Sequence, residues 1–532
     1  MVAFSVRDTL SRFISLLARD TRGNVLIIFG AALFPLIVMI GSGLDLGVRY
    51  MSQAKLQNAC DAAVLAGRQA MEGNTWDSAA LADANRFFAF NFPEGTHGAQ
   101  NLEFTVAPNP DDPSEIVGAA SASVPTSLMR LFGVNQLDIA VECNAMRDMG
   151  HNDIVLVLDV TGSMEDPASN GGGTKIARLR TGAVGLYRAL EDADGSITRF
   201  GIVPYSHTVN VARSLATDDI LRDQQYVDGE WLYRYCEKSW SSWNCSERSS
   251  TDRPTEGYSK SNTVYIDSVR FRYTGLRTVA ARNSSWATNN SDSRSIDAFR
   301  NSGNGCIEER PSSGNAASPV ALKNSVVQAD VDARSTGSSN AARQFGRYDP
   351  AVQRGQTQVG CPSEARRLAT ISSEANFNAA INSATARVTG GTYHDVGMLW
   401  GLRFISRTGF FAAGNPTHVG DIPVNQHIVF MTDGMLDTGA TLYSSHGVEA
   451  YQGRTKGTGS NEDRHLARFW DACNLAKAAG ITVWVIALDV TKTNDVSRCA
   501  TTPSHFYTSN GSDLEQVFGS IGQGIGNLRL SR

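Results

Sequence analysis

The sequence lacks a strong net charge. Its 532 residues include 48 Lys and Arg against 53 Asp and Glu, which leaves a formal net charge of −5. A protein that binds nucleic acid mainly through phosphate contacts needs an excess of Lys and Arg. The charge balance therefore argues against a nucleic-acid partner. With 42% hydrophobic residues, the chain is long enough for two or three domains with ordinary cores.

Several catalytic signatures are also missing. The sequence contains no His-Glu-x-x-His, Gly-x-Ser-x-Gly or paired Cys-x-x-Cys motif, which weakens proposals of a zinc enzyme or a serine hydrolase. The stretch "GGGTK" at 171–175 has the order Thr-Lys and follows no strand. We interpret it as a solvent loop in which Lys175 starts a helix, and not as a phosphate-binding loop.

Cysteine is absent from the first 59 residues. The eight cysteines are Cys60, Cys143, Cys236, Cys245, Cys306, Cys361, Cys473 and Cys499. Their even number and position favour four disulfides formed in an oxidising compartment, with buried free thiols as the alternative. Because eight cysteines allow about 105 pairings, we predict from sequence proximity only Cys236–Cys245 and Cys473–Cys499.

Charge is absent from residues 23–44, an apolar run long enough to cross a bilayer. Four arginines precede it and Asp45 follows it. This asymmetry predicts a single span with a cytoplasmic N-terminal segment, residues 1–22, and an exported remainder. A cleaved signal peptide is the alternative, but its apolar region is usually only about 7–15 residues long. Residues 2–21 have the spacing of an amphipathic helix on the inner membrane surface or of a short solvated helix.

Residues 45–148 combine a helical pattern with a strand pattern. The stretch "RYMSQAKLQNACDAAVLAGRQAM", which begins at Arg49, has no proline and no glycine before Gly67, so we expect the membrane helix to continue outward as a stalk. Residues 101–147 then alternate apolar and polar residues around the turn cluster "PNPDDP". A small antiparallel β-sheet packed on the stalk helix accounts for both patterns, and it allows Cys60 to meet Cys143.

From residue 149 to 532, aliphatic runs alternate with helical patterns. Examples are "IVLVLD", "FGIVPYS", "HIVFMTD" and "ITVWVIALDV". Uninterrupted apolar strands in βαβ order predict an α/β fold with a doubly wound, mostly parallel sheet. Residues from about 207 to 380 interrupt this order. They are rich in Ser, Asn, Gly and Arg, yet hold four tryptophans and four cysteines, which predicts a large irregular insertion stapled by disulfides.

Polar side chains end two of the predicted strands. Asp159 ends "LVLD", followed by Thr161 and Ser163, and Asp433 ends "HIVFMTD", while Thr392 precedes a predicted helix. In a doubly wound sheet such groups gather at the carboxyl edge of the strands. Two aspartates meeting there would repel each other unless a cation lies between them. Because all five donors are oxygen atoms, the pattern predicts a site for Mg²⁺, with Mn²⁺ or Ca²⁺ as alternatives, that keeps an exchangeable position.

These motifs carry a family resemblance. "DVTGSM", "GGT" and "TDG" resemble the metal-ion-dependent adhesion site of von Willebrand factor A domains, with Thr161 in place of the first serine. The segment "TRGNVLIIFGAALFPLIVMIGSGLDLGVRYMSQAKLQNACDAAVLAG" resembles TadE/TadG-like Tad (Flp) pilus assembly proteins. "FGIVPYSHTVNV", "NGCIEERP", "GGTYHDVGMLWGLRFIS" and "FGSIGQGIGNLRLSR" resemble the A-domain portion of TadG proteins. Ile28 stands where TadE-like members carry a glutamate, which favours a retained anchor over processing by a prepilin peptidase.

The resemblance implies a non-enzymatic adhesion or assembly protein of the bacterial inner membrane with a periplasmic C-terminal domain. Its metal would bind the acidic side chain of a protein partner, such as another Tad pilus component. One alternative is a pilin-like subunit that polymerises through its N-terminal helix, with a vestigial metal site. Another is a phosphatase with Asp159 as nucleophile, although Thr161 replaces the second carboxylate that this chemistry uses.

His394 and the tryptophans of the insertion each have one functional and one structural interpretation. His394, close to Thr392, could be a metal ligand or a base, but a histidine near a helix start is more often a satisfied surface group. The tryptophans of the insertion could form a ligand surface, but a small stapled core is the better default. They are Trp231, Trp240, Trp243 and Trp286.

Overall fold

The structure is a computed structural model of the whole chain. It describes residues 24–532 except 72–75, 111–114, 148–149, 192–195, 260, 281–294, 316–319, 336, 338–339, 357–359, 421, 527 and 531–532. The predicted helix within residues 2–21 and Trp286 lie outside the described residues. Two compact units are present: an N-terminal unit of residues 1–148 and 527–532, and an α/β unit of residues 149–526.

A single long helix dominates the N-terminal unit. Helix α1 (Asn24–Ala70) runs without interruption through Pro35 and is followed by α2 (Ser78–Asn91). The Asp77 carboxylate caps α2 by accepting hydrogen bonds from the first backbone N–H groups, which have no partner within the helix. The part of α1 from Ile28 onward is long and apolar enough to cross a membrane, judged by length and composition. The predicted continuity of the apolar segment with a stalk helix is confirmed.

The predicted small antiparallel sheet is also confirmed. Its strands β1 (Gln100–Pro108), β2 (Glu115–Pro125) and β3 (Gln136–Arg147) pair in that order, and Leu528–Leu530 pairs with β3. Alternate residues of β2 are buried against α1 and α2, as expected for a sheet with one face on the core. The Cys60–Cys143 disulfide links α1 to β3.

The α/β unit contains strands of very different length. In chain order, the longer ones and their direct partners are β4 (His151–Asp159), β5 (Thr198–Tyr205), β6 (Asp223–Ser239), β7 (Ser242–Ser250), β8 (Gly257–Tyr258), β9 (Val264–Ala280), β10 (Arg366–Thr370), β11 (His418–Val419), β12 (Ile422–Thr432), β13 (Thr482–Leu488) and β14 (Phe506–Ser509). Two-residue strands pair within loops at Ile307–Glu308, Leu322–Lys323, Gly346–Arg347, Tyr443–Ser444, Gly447–Val448 and Thr455–Lys456.

Ten helices of this unit lie within the described residues. They are α3 (Lys175–Gly182), α4 (Val184–Glu191), α5 (Ile296–Ser302), α6 (Gln328–Asp332), α7 (Glu374–Ala384), α8 (His394–Ile405), α9 (Glu449–Gln452), α10 (Asn461–Ala478), α11 (Asn494–Ser497) and α12 (Leu514–Ile525). The predicted α/β class is confirmed, and Lys175 starts a helix as predicted.

The central sheet has the strand order β10-β5-β4-β12-β13-β14. Strands β5, β4, β12, β13 and β14 are parallel to one another, whereas β10 and the short β11 pair antiparallel at their positions. Both faces of β4 are buried. Val155 and Val157 pack with residues of α8 and α10, and the alternate side chains of β4 pack with residues of α3, α4 and α12.

The chain changes direction across the sheet at β4. It leaves β4 for β5 on one side and later returns to β12 on the other side. In an open parallel sheet, such a reversal opens a crevice outside the carboxyl ends of the two strands that flank it. The loop after β4 and the loop after β12 therefore meet at this edge.

The insertion is not irregular, so that prediction was wrong. Strands β6 and β9 pair over most of their 17 residues each, and β7 and β8 complete an antiparallel sheet in the order β7-β6-β9-β8. Its strands escaped sequence analysis because they carry so many Ser, Arg and Asn side chains on exposed faces. Strand β10, within the range predicted for the insertion, pairs with β5 of the central sheet.

The tryptophans of the insertion divide between core and surface. Trp231 is buried, which fits a small core, whereas Trp240 and Trp243 are exposed.

Disulfides pair all eight cysteines as Cys60–Cys143, Cys236–Cys245, Cys306–Cys361 and Cys473–Cys499. The two pairs predicted from sequence proximity are therefore confirmed, and the alternative of buried free thiols is wrong.

Candidate metal centre

Asp159 ends β4 and is fully buried at the carboxyl edge of the sheet. Its Oδ1 accepts a hydrogen bond from the Thr161 backbone N–H at 2.9 Å. Its Oδ2 accepts one from the Thr432 hydroxyl at 2.8 Å and a longer one from the Tyr205 hydroxyl at 3.3 Å. Three neighbouring segments thus hold the carboxylate in one orientation.

Ser163 connects the loop after β4 to the end of β12. The Ser163 hydroxyl donates to Asp433 Oδ1 at 2.8 Å, across 270 residues of sequence. The Thr161 and Ser163 hydroxyl oxygens lie 3.1 Å apart. A 3₁₀ turn at Gly162–Glu165 directs the loop back over the sheet edge. Four of the five residues predicted from sequence therefore form one cluster.

The fifth predicted residue, Thr392, is tied to the cluster through backbone. The Gly162 N–H donates to the Gly390 carbonyl at 3.1 Å, which joins the segment before α8 to the loop after β4. Thr392 and Asp437 exchange two backbone hydrogen bonds of 3.1 Å, which joins the same segment to the loop after β12. Thr392 is buried between these loops. Among the described residues, no hydrogen bond joins its hydroxyl to the other four side chains.

Electrostatic repulsion is present in the cluster. Burial, and then the negative charge of Asp433, raise the pKa of Asp159 to about 7. The Lys175 Nζ lies 2.9 Å from Asp433 Oδ2, and both side chains are largely or wholly buried. The ammonium contacts Asp433, whereas no ion pair to Asp159 is present among the described residues, so a further positive charge beside Asp159 would be stabilised.

The donor set fits a hard divalent cation. Its side chains offer carboxylate and hydroxyl oxygens, which Mg²⁺ prefers, and the repulsion between Asp159 and Asp433 is what a cation would relieve. Sequence reasoning identified the oxygens because each ends an aliphatic strand or opens a helix. It missed the hydroxyl of Thr432, although the position of this residue directly before Asp433 could have identified it. It also missed Lys175 as part of the site, since a lysine that starts a helix is usually solvated.

His394 is not a surface group, so that interpretation was wrong. The imidazole is buried, and its Nε2 lies 3.0 Å from the Thr432 hydroxyl oxygen. Burial lowers the pKa of His394 to about 4, which keeps the ring neutral near pH 7. Through Thr432, His394 supports the position of Asp159. This role depends on helix α8 packing directly on the sheet, which a local sequence pattern does not reveal.

A second buried polar cluster surrounds Asp395, the residue after His394 on α8. His465 Nδ1 lies 3.1 Å from an Asp395 carboxylate oxygen, and His446 Nε2 lies 3.3 Å from the same oxygen. The spacing of these three side chains would suit a metal. However, the Arg468 Nε lies 3.1 Å from the same carboxylate oxygen and already neutralises Asp395. We interpret this cluster as a buried network that joins α8 to α10.

Comparison with known families identifies the N-terminal segment. Residues 23–72 match the family described as "Putative Flp pilus-assembly TadE/G-like". The match confirms the predicted resemblance of this segment to Tad-type assembly proteins. No curated protein matches the sequence.

Solved structures similar to this chain include proteins of bacterial pili. The pilus adhesin SpaC from Lactobacillus rhamnosus GG is 10% identical, with a TM-score of 0.33 over 82% of this chain and 35% of SpaC. The von Willebrand factor domain of the type V pili tip protein Mfa5 from Porphyromonas gingivalis is 12% identical, with a TM-score of 0.27 over 71% of this chain and 95% of that domain. The PilB minor pilin from Streptococcus sanguinis is 12% identical, with a TM-score of 0.29 over 81% and 78%. This chain spans about a third of the length of SpaC.

Proposed function

We propose that this protein is a membrane-anchored adhesion or assembly protein of a Tad pilus system. In this proposal, the α/β unit is a doubly wound domain of the von Willebrand factor A type. It binds a protein partner through a divalent metal at its carboxyl edge. The family match of residues 23–72 supports the association with Tad pili.

One observation carries the metal-binding part of the proposal. The Ser163 hydroxyl meets the Asp433 carboxylate at 2.8 Å beside the buried Asp159, although the two segments are 270 residues apart. Oxygen atoms from distant segments that converge on a like-charged pair form a suitable cation site. Asp159, Ser163 and Asp433, with Thr161 and Thr392, would hold Mg²⁺. When bound, Mg²⁺ supplies an exchangeable coordination position that accepts a carboxylate oxygen of the partner.

The chain's own residues orient the donors. Thr432 and the Thr161 backbone hold the Asp159 carboxylate in place before any partner arrives. Burial of the cluster keeps water away from the carboxylates, and a charge interaction is stronger in such surroundings than in bulk water. A partner's acidic side chain would therefore meet a preorganised site.

Membrane anchoring is the second part of the proposal. Helix α1 contains residues 24–44 of the charge-free stretch, which arginines precede in the sequence and Asp45 follows. This charge asymmetry supports a single crossing of the inner membrane with the α/β unit in the periplasm. The pairing of all eight cysteines supports an oxidising compartment for the residues after the span.

Metal titration of a matched pair of aspartate variants tests the site. Asp159→Asn removes a charge from the cluster, whereas Asp489→Asn changes an aspartate that follows the neighbouring strand β13 and contacts Ser169. We expect isothermal titration calorimetry of the detergent-solubilised chain to show Mg²⁺ or Mn²⁺ binding that falls at least about tenfold in Asp159→Asn, a loss of about 1.4 kcal/mol. Asp489→Asn should bind as the unmodified chain does. Equal binding by all three proteins would overturn the metal site.

A cellular assay tests the functional part separately. Cells that express Asp159→Ala in place of the unmodified chain should lose metal-dependent capture of Tad pilus components and assemble fewer pili by electron microscopy. Cells with Asp489→Asn should keep both. Unchanged capture in Asp159→Ala and in EDTA would contradict a metal-dependent partner site, even if the metal itself binds.

A further inference from the structure

The loop between β2 and β3, residues 126–135, lies along the apolar helix α1. Leu128 packs against Gly41, where even a Cβ atom would come within 2.7 Å of the leucine side chain. Farther along the helix, the rings of Phe132 and Phe34 meet edge to face, with 5.6 Å between centroids. The loop therefore follows α1 into the segment of residues 23–44.

Asp45 fixes the loop at the end of that segment. Its carboxylate accepts backbone hydrogen bonds from Ser127, Leu128 and Met129 at 2.7–2.9 Å. Most other N–H groups of the loop bond to carbonyls within it, at 3.0–3.2 Å. A segment with paired backbone groups loses little when it leaves water for an apolar medium.

The side chains of the loop are apolar but not covered by protein. Leu131 is 69% exposed, Phe132 42% and Val134 37%. They continue an exposed apolar surface of α1 that includes Phe34 and Met39. Exposed apolar patches of this kind mark membrane or protein contacts.

We propose that residues 126–135 form a second membrane contact, embedded in the periplasmic leaflet beside α1. This inference rests on the proposed crossing of the membrane by α1. Gly41 lies four residues before Asp45, about 6 Å along the helix, and Phe34 lies eleven residues before it, about 16 Å. The Leu128 backbone is then at the headgroup boundary and the ring of Phe132 reaches the acyl chains, as in an interfacial segment.

The charge of the loop fits this position. Arg130 is its one charged residue and is exposed. A long arginine side chain at this level can extend to the lipid phosphates while its neighbours stay among the acyl chains. A second copy of the chain is the other candidate occupant of the patch. Lipid is favoured because the patch is continuous with the surface of the spanning segment.

Site-directed fluorescence in proteoliposomes tests the proposal. Because all eight native cysteines are paired, an introduced cysteine is the single free thiol for an NBD label. Leu131→Cys probes the loop and Val134→Cys repeats the test. Met39→Cys, on the exposed surface of α1, places a label in the proposed membrane span. Pro110→Cys is exposed just after β1, at the end of the small sheet away from residues 126–135, and places a label on the aqueous side. Quenching is measured with doxyl-labelled phosphatidylcholine vesicles.

We expect labels at Leu131 and Met39 to be quenched by the doxyl lipids at least twofold more than the label at Pro110. Quenching at Met39 without quenching at Leu131 and Val134 would overturn this inference and leave the membrane anchor intact. Absence of quenching at Met39 would overturn the anchor and this inference together. A label at Leu131 that is shielded only at high protein-to-lipid ratio, and not quenched by lipid, would assign the patch to a second copy and overturn the inference.

Discussion

The Lys175 ammonium lies 2.9 Å from Asp433 Oδ2, inside the cluster that also contains Asp159. Lys175 is the first residue of α3, and Thr174 caps this helix by accepting the Ala177 N–H. The helix start therefore delivers a positive charge to the proposed metal site. Any divalent cation that binds Asp433 has to compete with this charge.

Removal of that ammonium should strengthen metal binding. In Lys175→Met, the repulsion between Nζ and an incoming cation disappears, and the Asp433 oxygen that Nζ contacts becomes available to the metal. We expect the affinity for Mg²⁺ to rise about tenfold, measured by isothermal titration calorimetry. Lys238→Met, at an exposed position of β6, is the matched control and should leave the affinity unchanged. Equal or weaker binding in Lys175→Met would show that the ammonium does not compete with the metal.

The buried ion pair between Glu309 and Arg403 should be essential for stability. The guanidinium donates two hydrogen bonds of 2.8 and 2.9 Å to the carboxylate and links the "CIEERP" segment to α8. Glu309→Gln leaves a buried, uncompensated charge, so the free energy of unfolding should fall by about 3–5 kcal/mol in denaturant titrations. Glu374→Gln removes an exposed partner of Arg188 and should have a much smaller effect. Similar losses in both variants would contradict this ranking.

The two disulfides predicted from sequence should differ in their contribution to stability. Cys473–Cys499 closes 26 residues and Cys236–Cys245 closes 9. In the chain-entropy account the longer loop contributes about 1 kcal/mol more. Thermal unfolding of the two double alanine variants should therefore show the larger loss of Tm in Cys473→Ala/Cys499→Ala. A larger loss of Tm in Cys236→Ala/Cys245→Ala would contradict the chain-entropy account.

Acid should destabilise the α/β unit through its buried histidines. Burial, assisted by nearby His505, lowers the pKa of His427 to about 3. In the unfolded chain His427 takes up a proton near pH 6.5, whereas in the folded chain it stays neutral until about pH 3. Its contribution to the free energy of unfolding is therefore complete above about pH 6.5 and is lost as the pH falls towards 3. One such group contributes a slope of up to about 1.4 kcal/mol per pH unit.

The slope of unfolding free energy against pH measures this effect. In His427→Gln the slope between pH 6.5 and 4 should decrease, whatever the variant costs in absolute stability. His418→Gln, at an exposed position of β11, should keep the slope of the unmodified chain. An identical slope in all three proteins would mean that His427 titrates normally in the folded state.

Much of the fold could be predicted because its signals are local. The charge-free run predicts one long helix, and the alternation of apolar and polar residues predicts the strands within 101–147. The aliphatic runs predict strands β4 and β12. The insertion shows the limit of such reasoning. Strand β9 carries only a short alternation of apolar and polar residues, at 269–273, within a segment rich in Ser, Asn, Gly and Arg, so its pattern was not recognised as a long strand.

The sequence by itself determined which chemistry the site can offer. Asp159 ends β4 and Asp433 directly follows β12, each after a mostly apolar run, so these oxygens have to lie at a sheet edge and need a polar partner. Only the tertiary structure decided what that partner is. Lys175 and His394 reach the cluster because α3 and α8 pack beside the crevice at the carboxyl ends of β4 and β12. The meeting of segments hundreds of residues apart depends on strand order and helix packing, and no local pattern of side chains encodes those.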